Sequence, residues 1–206
     1  MRTHNRPKQL EICLQSIADC DYKDAQVIIV SDDDSDPVEE IAAISLKSIP
    51  WVRFKPALHS WPPNDYFNQI HHLVEGQYLT YIDDDDKVFS PLYYREILNS
   101  SKDHPPMIIW KANLGKLYHG NNDTILPEKH NWEKRPVLSH FSTLNMGVLA
   151  KYAKNIKWPQ KKGGDGLFAQ AFWDKHIFPD KSNVVFIDKI LTGTQNGLST
   201  HKRVVR

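Results

Sequence analysis

Covalent cross-linking has almost no material here: the 206 residues include only Cys13 and Cys20, both in or beside an apolar helical pattern. That argues against a disulfide scaffold or a zinc site, and fits a reducing, cytosolic compartment. Long apolar runs are also missing. None approaches the roughly 20 residues that span a bilayer, and no charged-then-apolar leader opens the chain. The expectation is a soluble cytoplasmic protein without a transmembrane segment, compatible at most with peripheral attachment to a membrane. Charge of one sign is lacking too. With 26 Lys and Arg against 25 Asp and Glu, net charge +1, no whole-chain field directs the protein to nucleic acid. There is no repeat, no low-complexity segment and no clean linker, so residues 1–206 read as a single domain with apolar content sufficient for a full core.

What is present is order in the first hundred residues. Leu10, Cys13, Leu14 and Ile17 recur at helical spacing behind Pro7, which suits a first helical turn, and predict a helix over 7–17. Val27, Ile28, Ile29 and Val30 form a short β-branched run that stops at Ser31 and three aspartates, predicting a buried strand that ends in a polar loop. A helix over 37–46, a strand over 52–55, a helix over 65–74 and a strand over 78–82 follow, and a further helix begins at Pro91. Alternation of this kind implies an α/β fold with a mostly parallel central sheet flanked by helices. The second half is less regular. A strand is expected from Met107, irregular polar chain over 115–134, and helices over 147–156 and 164–175.

Two acidic clusters stand at strand ends, where ligands of open sheets bind. Asp83, Asp84, Asp85 and Asp86 are consecutive, and like charges so close repel unless something neutralises them. A hard divalent cation, Mn²⁺ or Mg²⁺, takes carboxylate, phosphate and water oxygens and would do so while holding a diphosphate. The bland alternative is an exposed acidic turn. Asp32, Asp33 and Asp34 precede Ser35 and Asp36, whose side chains suit an Asx turn or a helix cap. Asp32 and Asp33 come directly off the strand, where a carboxylate can accept from a base or ribose.

Thr-His-Asn-Arg-Pro at 3–7, Val-Ser-Asp-Asp-Asp-Ser-Asp at 30–36 and Glu-Gly-Gln-Tyr-Leu-Thr-Tyr-Ile-Asp-Asp-Asp-Asp at 75–86 together resemble family 2 glycosyltransferases of the GT-A fold, the Asp-X-Asp type, in order and spacing. The resemblance implies a metal-dependent, inverting transferase that moves a sugar from a nucleotide-diphosphate donor, UDP foremost, to the hydroxyl of a glycan or other acceptor. It places uracil recognition on Asp33, with Thr3, Asn5, Arg6, Asp32, Asp83 and Asp84 also at the nucleotide, and Arg2 beside it. Asp85 is the preferred metal ligand, joined by Asp83 and by His201 near the C-terminus, where Lys202 and Arg203 would face the diphosphate. Asp165, within Gly163-Gly164-Asp165-Gly166, falls where the family keeps the general base that opens a helix. A helix cap is the competing role for that aspartate. His140 falls on the acceptor side. Residues 1–100 would then bind the donor and 101–206 the acceptor.

The chain departs from the family in two places. Its first strand is missing or truncated, since Met1 is followed almost at once by the first motif, although a central strand is costly to lose. Tyr66-Phe67-Asn68 replaces an Ala-Arg-Asn run, removing an arginine from the nucleotide's surroundings. Two other functions share some of these features: a sugar-phosphate nucleotidyltransferase, which needs a glycine- and arginine-rich loop absent here, and a non-catalytic nucleotide-binding module of the same fold.

Overall fold

The computed structural model describes residues 1–56, 65–115, 123–138, 140–161 and 163–195. His201, Lys202 and Arg203 lie outside the described residues.

The amphipathic stripe of the first helix folds as its spacing requires. In α1 (Pro7–Ala18), Leu10, Cys13, Leu14 and Ile17 are all buried, Pro7 stands at the N-terminus, and each large aliphatic side chain removed from water contributes about 1.5–3 kcal/mol. The helix packs beside β1 (Arg2–Thr3), β2 (Val27–Ser31) and β3 (Trp51–Phe54), which form a three-stranded parallel sheet in that order. Connecting them are α1 and α2 (Val38–Leu46). Every residue of β2 is buried, because helices cover one face and the second half of the chain covers the other.

The short first strand is real. Only Arg2 and Thr3 pair in register, with Val30 and Ser31. Met1 extends the contact: its amine donates to Ile28 O at 2.7 Å and its carbonyl accepts from Val30 N at 2.8 Å. Burial lowers the pKa of that amine to about 6.

Beyond α3 (Asp65–Gln69), which runs on as a 3₁₀ turn over Ile70–Leu73, the pairing changes character. The second sheet contains β4 (Tyr78–Thr80), β5 (Asp86–Val88), β6 (Met107–Asn113), β7 (Ile125–Leu126), β8 (Met146–Leu149) and β9 (Val184–Thr194), with α4 (Tyr93–Ser100) between β5 and β6. Its order is β4-β8-β6-β9-β5, with β7 on β6. Here only β6 and β9 are parallel; the other four pairings are antiparallel. The α/β class stands; the parallel pairings are β1 with β2, β2 with β3 and β6 with β9, and the rest of the second sheet is antiparallel. A parallel bridge between Arg2 and Asp83 connects the two sheets.

Residues 147–156, expected as one helix, divide into β8 and a single turn, α5 (Ala150–Ala153). Met146 and Val148 have no accessible surface and fill the core beside β6, a two-residue alternation that a helix cannot satisfy. The helix α6 (Gly164–His176) forms where expected. No helix among the described residues is long and apolar enough to cross a membrane.

Candidate functional site

The loop between β1 and α1 stands between the two acidic strand ends and bonds to both. On one side His4 Nδ1 lies 2.8 Å from Asp32 Oδ1, and Asn5 N donates to Asp36 Oδ2 at 2.9 Å. On the other, Thr3 Oγ1 donates to Asp84 Oδ2 at 2.7 Å, and Arg6 reaches Asp84 at 2.5 Å and Asp85 at 3.1 Å. Asn5 makes this turn with a φ of 48°, a left-handed conformation that asparagine tolerates better than most residues. The two clusters therefore lie on either side of one loop, near the carboxyl ends of β1, β2 and β4.

The aspartate run is divided by environment. Asp84 points inward with no accessible surface and Thr3 is buried beside it, and together they hold the loop in place. Burial pushes the Asp84 carboxyl up to about 6, although Arg6 and Thr3 pull the other way. Arg2 pairs with Asp83 at 2.9 Å. Oxygens of Asp83, Asp85 and Asp86 gather within 4.8 Å of one another. Burial, together with Asp83 and Asp85, raises Asp86 well above the ordinary carboxylate range. Two guanidinium groups pair with three of the four carboxylates, Asp83, Asp84 and Asp85, so the run keeps an excess of acidic oxygens that a divalent cation would complement. An all-oxygen donor set of this kind fits Mg²⁺ or Mn²⁺. Asp86, which the spacing argument counted only as part of the run, belongs with Asp83 and Asp85.

The second cluster is organised by neighbours that the sequence did not expose. Asp36 is buried and accepts from Ser31 Oγ at 3.1 Å as well as from Asn5, so it pins the turn. Asp33 accepts from Ser35 N and Oγ at 2.9 and 2.7 Å, which lowers its pKa, while Arg53 of β3 donates to Asp33 O at 2.8 Å. Tyr66, at the place of the missing arginine run, donates to Asp32 Oδ2 at 2.9 Å.

Asp165 sits in the first turn of α6, whose N-cap is Gly163 with φ of 75°. The backbone N–H groups of Gly166 and of Asp165 itself favour its charged form, so it contributes to the end of the helix without being the cap residue. Burial raises its pKa, and Asp83 raises it further while Arg2 opposes. The charges of Asp83 and Arg2 both reach Asp165. A Cβ at Gly166 would approach Leu138 Cα to 3.3 Å, which is why the segment before β8 can lie against this turn.

His140 is in a separate group with Glu128 and His130. Gln195, which sequence reasoning missed, closes the aspartate loop from behind. Its Nε2 donates to Asp84 O at 2.7 Å, and lies 2.9 Å from both Gln9 O and Asp86 O, while its backbone N donates to Asp85 O at 2.9 Å.

The profile of glycosyl transferase family 2 matches residues 1–145. No curated protein matches the chain in sequence. Among solved structures, S. aureus TarS 1-349 in complex with UDP-GlcNAc superimposes with TM-score 0.72 at 17% identity, over 97% of this chain and 58% of that one. The mannosyltransferase PcManGT from Pyrobaculum calidifontis, in complex with GDP-Man and Mn²⁺, gives 0.67 at 13% identity, over 93% and 54%. Glucosyl-3-phosphoglycerate synthase from Mycobacterium tuberculosis, in complex with phosphoglyceric acid, gives 0.61 at 12% identity, over 95% and 70%. The chain thus spans a little over half the length of the first two, and at these identities the likeness establishes the fold. With the profile covering more than half of its residues, and the three motifs inside the matched span, the chain belongs to glycosyl transferase family 2.

Proposed function

We propose that the protein is a metal-dependent, inverting glycosyltransferase that uses a UDP-sugar and an acceptor hydroxyl. The carrying observation is the gathering of Asp83, Asp85 and Asp86 within a chain of this family, and the assignment of Asp165 is supported by the charge of Asp83 reaching it. Residues 1–100 supply the donor side and 101–206 the acceptor side. Asp33, Asp32, Asn5 and Arg6 line the nucleotide's place, with Asp33 on the uracil ring. His201 is kept as a further metal ligand on the family resemblance, and His140 as an acceptor contact.

A bound Mn²⁺ or Mg²⁺ would offset charge building on the departing diphosphate. Asp83 and Asp85 would hold it with Asp86, exchanging part of their pairing with Arg2 and Arg6 for the ion. The chain's own chemistry centres on Asp165. Its carboxylate takes the proton of the acceptor hydroxyl as that oxygen bonds to the anomeric carbon; the bond from that carbon to the diphosphate oxygen breaks, and the electron pair leaves with the nucleotide. Its raised pKa makes Asp165 a stronger base than an ordinary aspartate. The UDP reading draws support from the family motif and from TarS, which carries UDP-GlcNAc.

The test is a thermal-shift panel of nucleotide sugars with and without Mn²⁺, followed by transfer and donor-hydrolysis assays. A UDP-sugar should raise the melting temperature only with the metal present. Asp85→Ala should abolish both the shift and metal-dependent turnover; full activity in that variant refutes the assignment.

A further inference from the structure

Apart from the aspartate run, a second group of side chains has the chemistry of a cation site. Glu128 follows β7, His130 lies in the 3₁₀ turn Lys129–Asn131, and His140 precedes β8. One ligand atom from each lies within 4.8 Å of the others. His130 Nδ1 is 3.2 Å from Glu128 Oε2, and His140 Nδ1 is 3.7 Å from Glu128 Oε1. Tetrahedral ligands at about 2.0–2.1 Å from Zn²⁺ stand roughly 3.3 Å apart, so these spacings bracket what an ion would need. His140 Nδ1 is shut off from solvent and has no hydrogen-bond partner among the described residues. A buried ring nitrogen without a hydrogen-bond partner requires an explanation, and a role as a metal ligand is one.

The remaining nitrogen of His130 has support as well. Its Nε2 lies 3.0 Å from the Asn131 side-chain amide, which offers an acceptor oxygen when turned about its axis. Metal-bound histidines characteristically donate their other N–H to such a group. Two imidazoles and one carboxylate favour a borderline transition ion over the hard cations suited to the aspartate run.

We infer that Glu128, His130 and His140 bind a divalent transition-metal ion of the zinc class, as a site separate from the aspartate run. The fourth position opens to solvent, since the side chains of His130 and His140 are partly exposed. The ion fastens the two ends of a strap that lies along α6. Within that strap Arg135 pairs with Asp174 at 2.5 and 2.7 Å, Pro136 O accepts from Gln170 at 3.0 Å, and Leu138 faces Gly163 and Gly166 on either side of Asp165. Binding therefore stiffens the chain that borders the base.

The experiment uses the full chain carrying Asp85→Ala, which weakens the other site, and reads Zn²⁺ by equilibrium dialysis and Co²⁺ by its visible absorption. One ion per chain is expected, with tetrahedral cobalt bands that Zn²⁺ displaces and excess Mg²⁺ does not. Adding His130→Ala and His140→Ala should remove both the bound ion and the bands, with circular dichroism confirming the fold. If that variant does not fold, Glu128→Gln, a near-isosteric change, should produce a loss of affinity by itself. No ion bound in the Asp85→Ala chain, or unchanged binding after any of these substitutions in a folded chain, overturns the site.

Discussion

At the scale of a residue, environment rather than identity separates the acidic groups. Asp165→Asn is the sharpest test, because asparagine keeps a side-chain acceptor at the helix end and removes only the basic carboxylate. Turnover should fall by about 10²–10⁴-fold, while the melting temperature stays level or rises, since a charge disfavoured by burial has been removed. A variant that loses activity and stability together would favour the helix-end role. The pH dependence has a defined sign. Burial and Asp83 raise the pKa of Asp165, so kcat/KM should decline as pH falls, with a midpoint above the ordinary value of 3.8. Tyr66→Phe removes one donor from Asp32, and if that carboxylate touches nucleotide, donor KM should rise with little change in kcat. The sequence showed which residues were acidic and near strand ends; it could not show that Asp84 turns inward and Asp86 joins the ligand atoms, because consecutive residues in a tight turn do not alternate by a simple rule.

At the scale of elements, legibility follows the range of the contacts. From α1 through β4, each element announces itself by local periodicity, and the observed bounds lie within a few residues of those read from the pattern. The misreading over 147–156 came from Ala150, Tyr152 and Ala153 extending an apolar spacing that Met146 and Val148 had begun as a strand. The last strand went unread. Asp188 and Lys189 interrupt its apolar run, and its pairing with β6 shifts register between Trp110 and Ala112. Near its end, Gly193 packs where a Cβ would collide with Asn113 O and the Phe89 ring. Gly193→Ala should cost about 1–3 kcal/mol, measured by urea unfolding; an unchanged midpoint would mean that the β5 side relaxes freely. Gln195→Leu should also lower Mn²⁺ affinity, because Asp84 O and Asp86 O lose their donor and the ligand loop loses its shape. Calorimetric titration would read the change, and wild-type affinity would show that the loop holds without it. Gln195 escaped sequence reasoning because its partners Asp84 and Asp86 are 111 and 109 residues away.

At the scale of the molecule, the cluster of buried carboxylates links stability to protons and cations. Asp84 has a folded-state pKa of about 6 against an ordinary 3.8. Between those values the unfolded chain has released the proton that the folded chain keeps, so stability should fall as pH rises from about 4 to about 6 and level off beyond, by up to roughly 3 kcal/mol. Asp86 and Asp165 act in the same direction. Denaturation in chelator should show this decline, Asp84→Asn should flatten it, and saturating Mn²⁺ should offset it; a profile that rises over the same interval would contradict the assignment. The long final strand adds a last implication. It starts after α6, runs beside β6 and β5, and delivers Gln195 to the underside of the aspartates. Recombining the first hundred residues with a foreign partner would transplant the carboxylates but leave behind the keystone that gives them their spacing, so modular exchange has to carry this distal ribbon along with the aspartate turn.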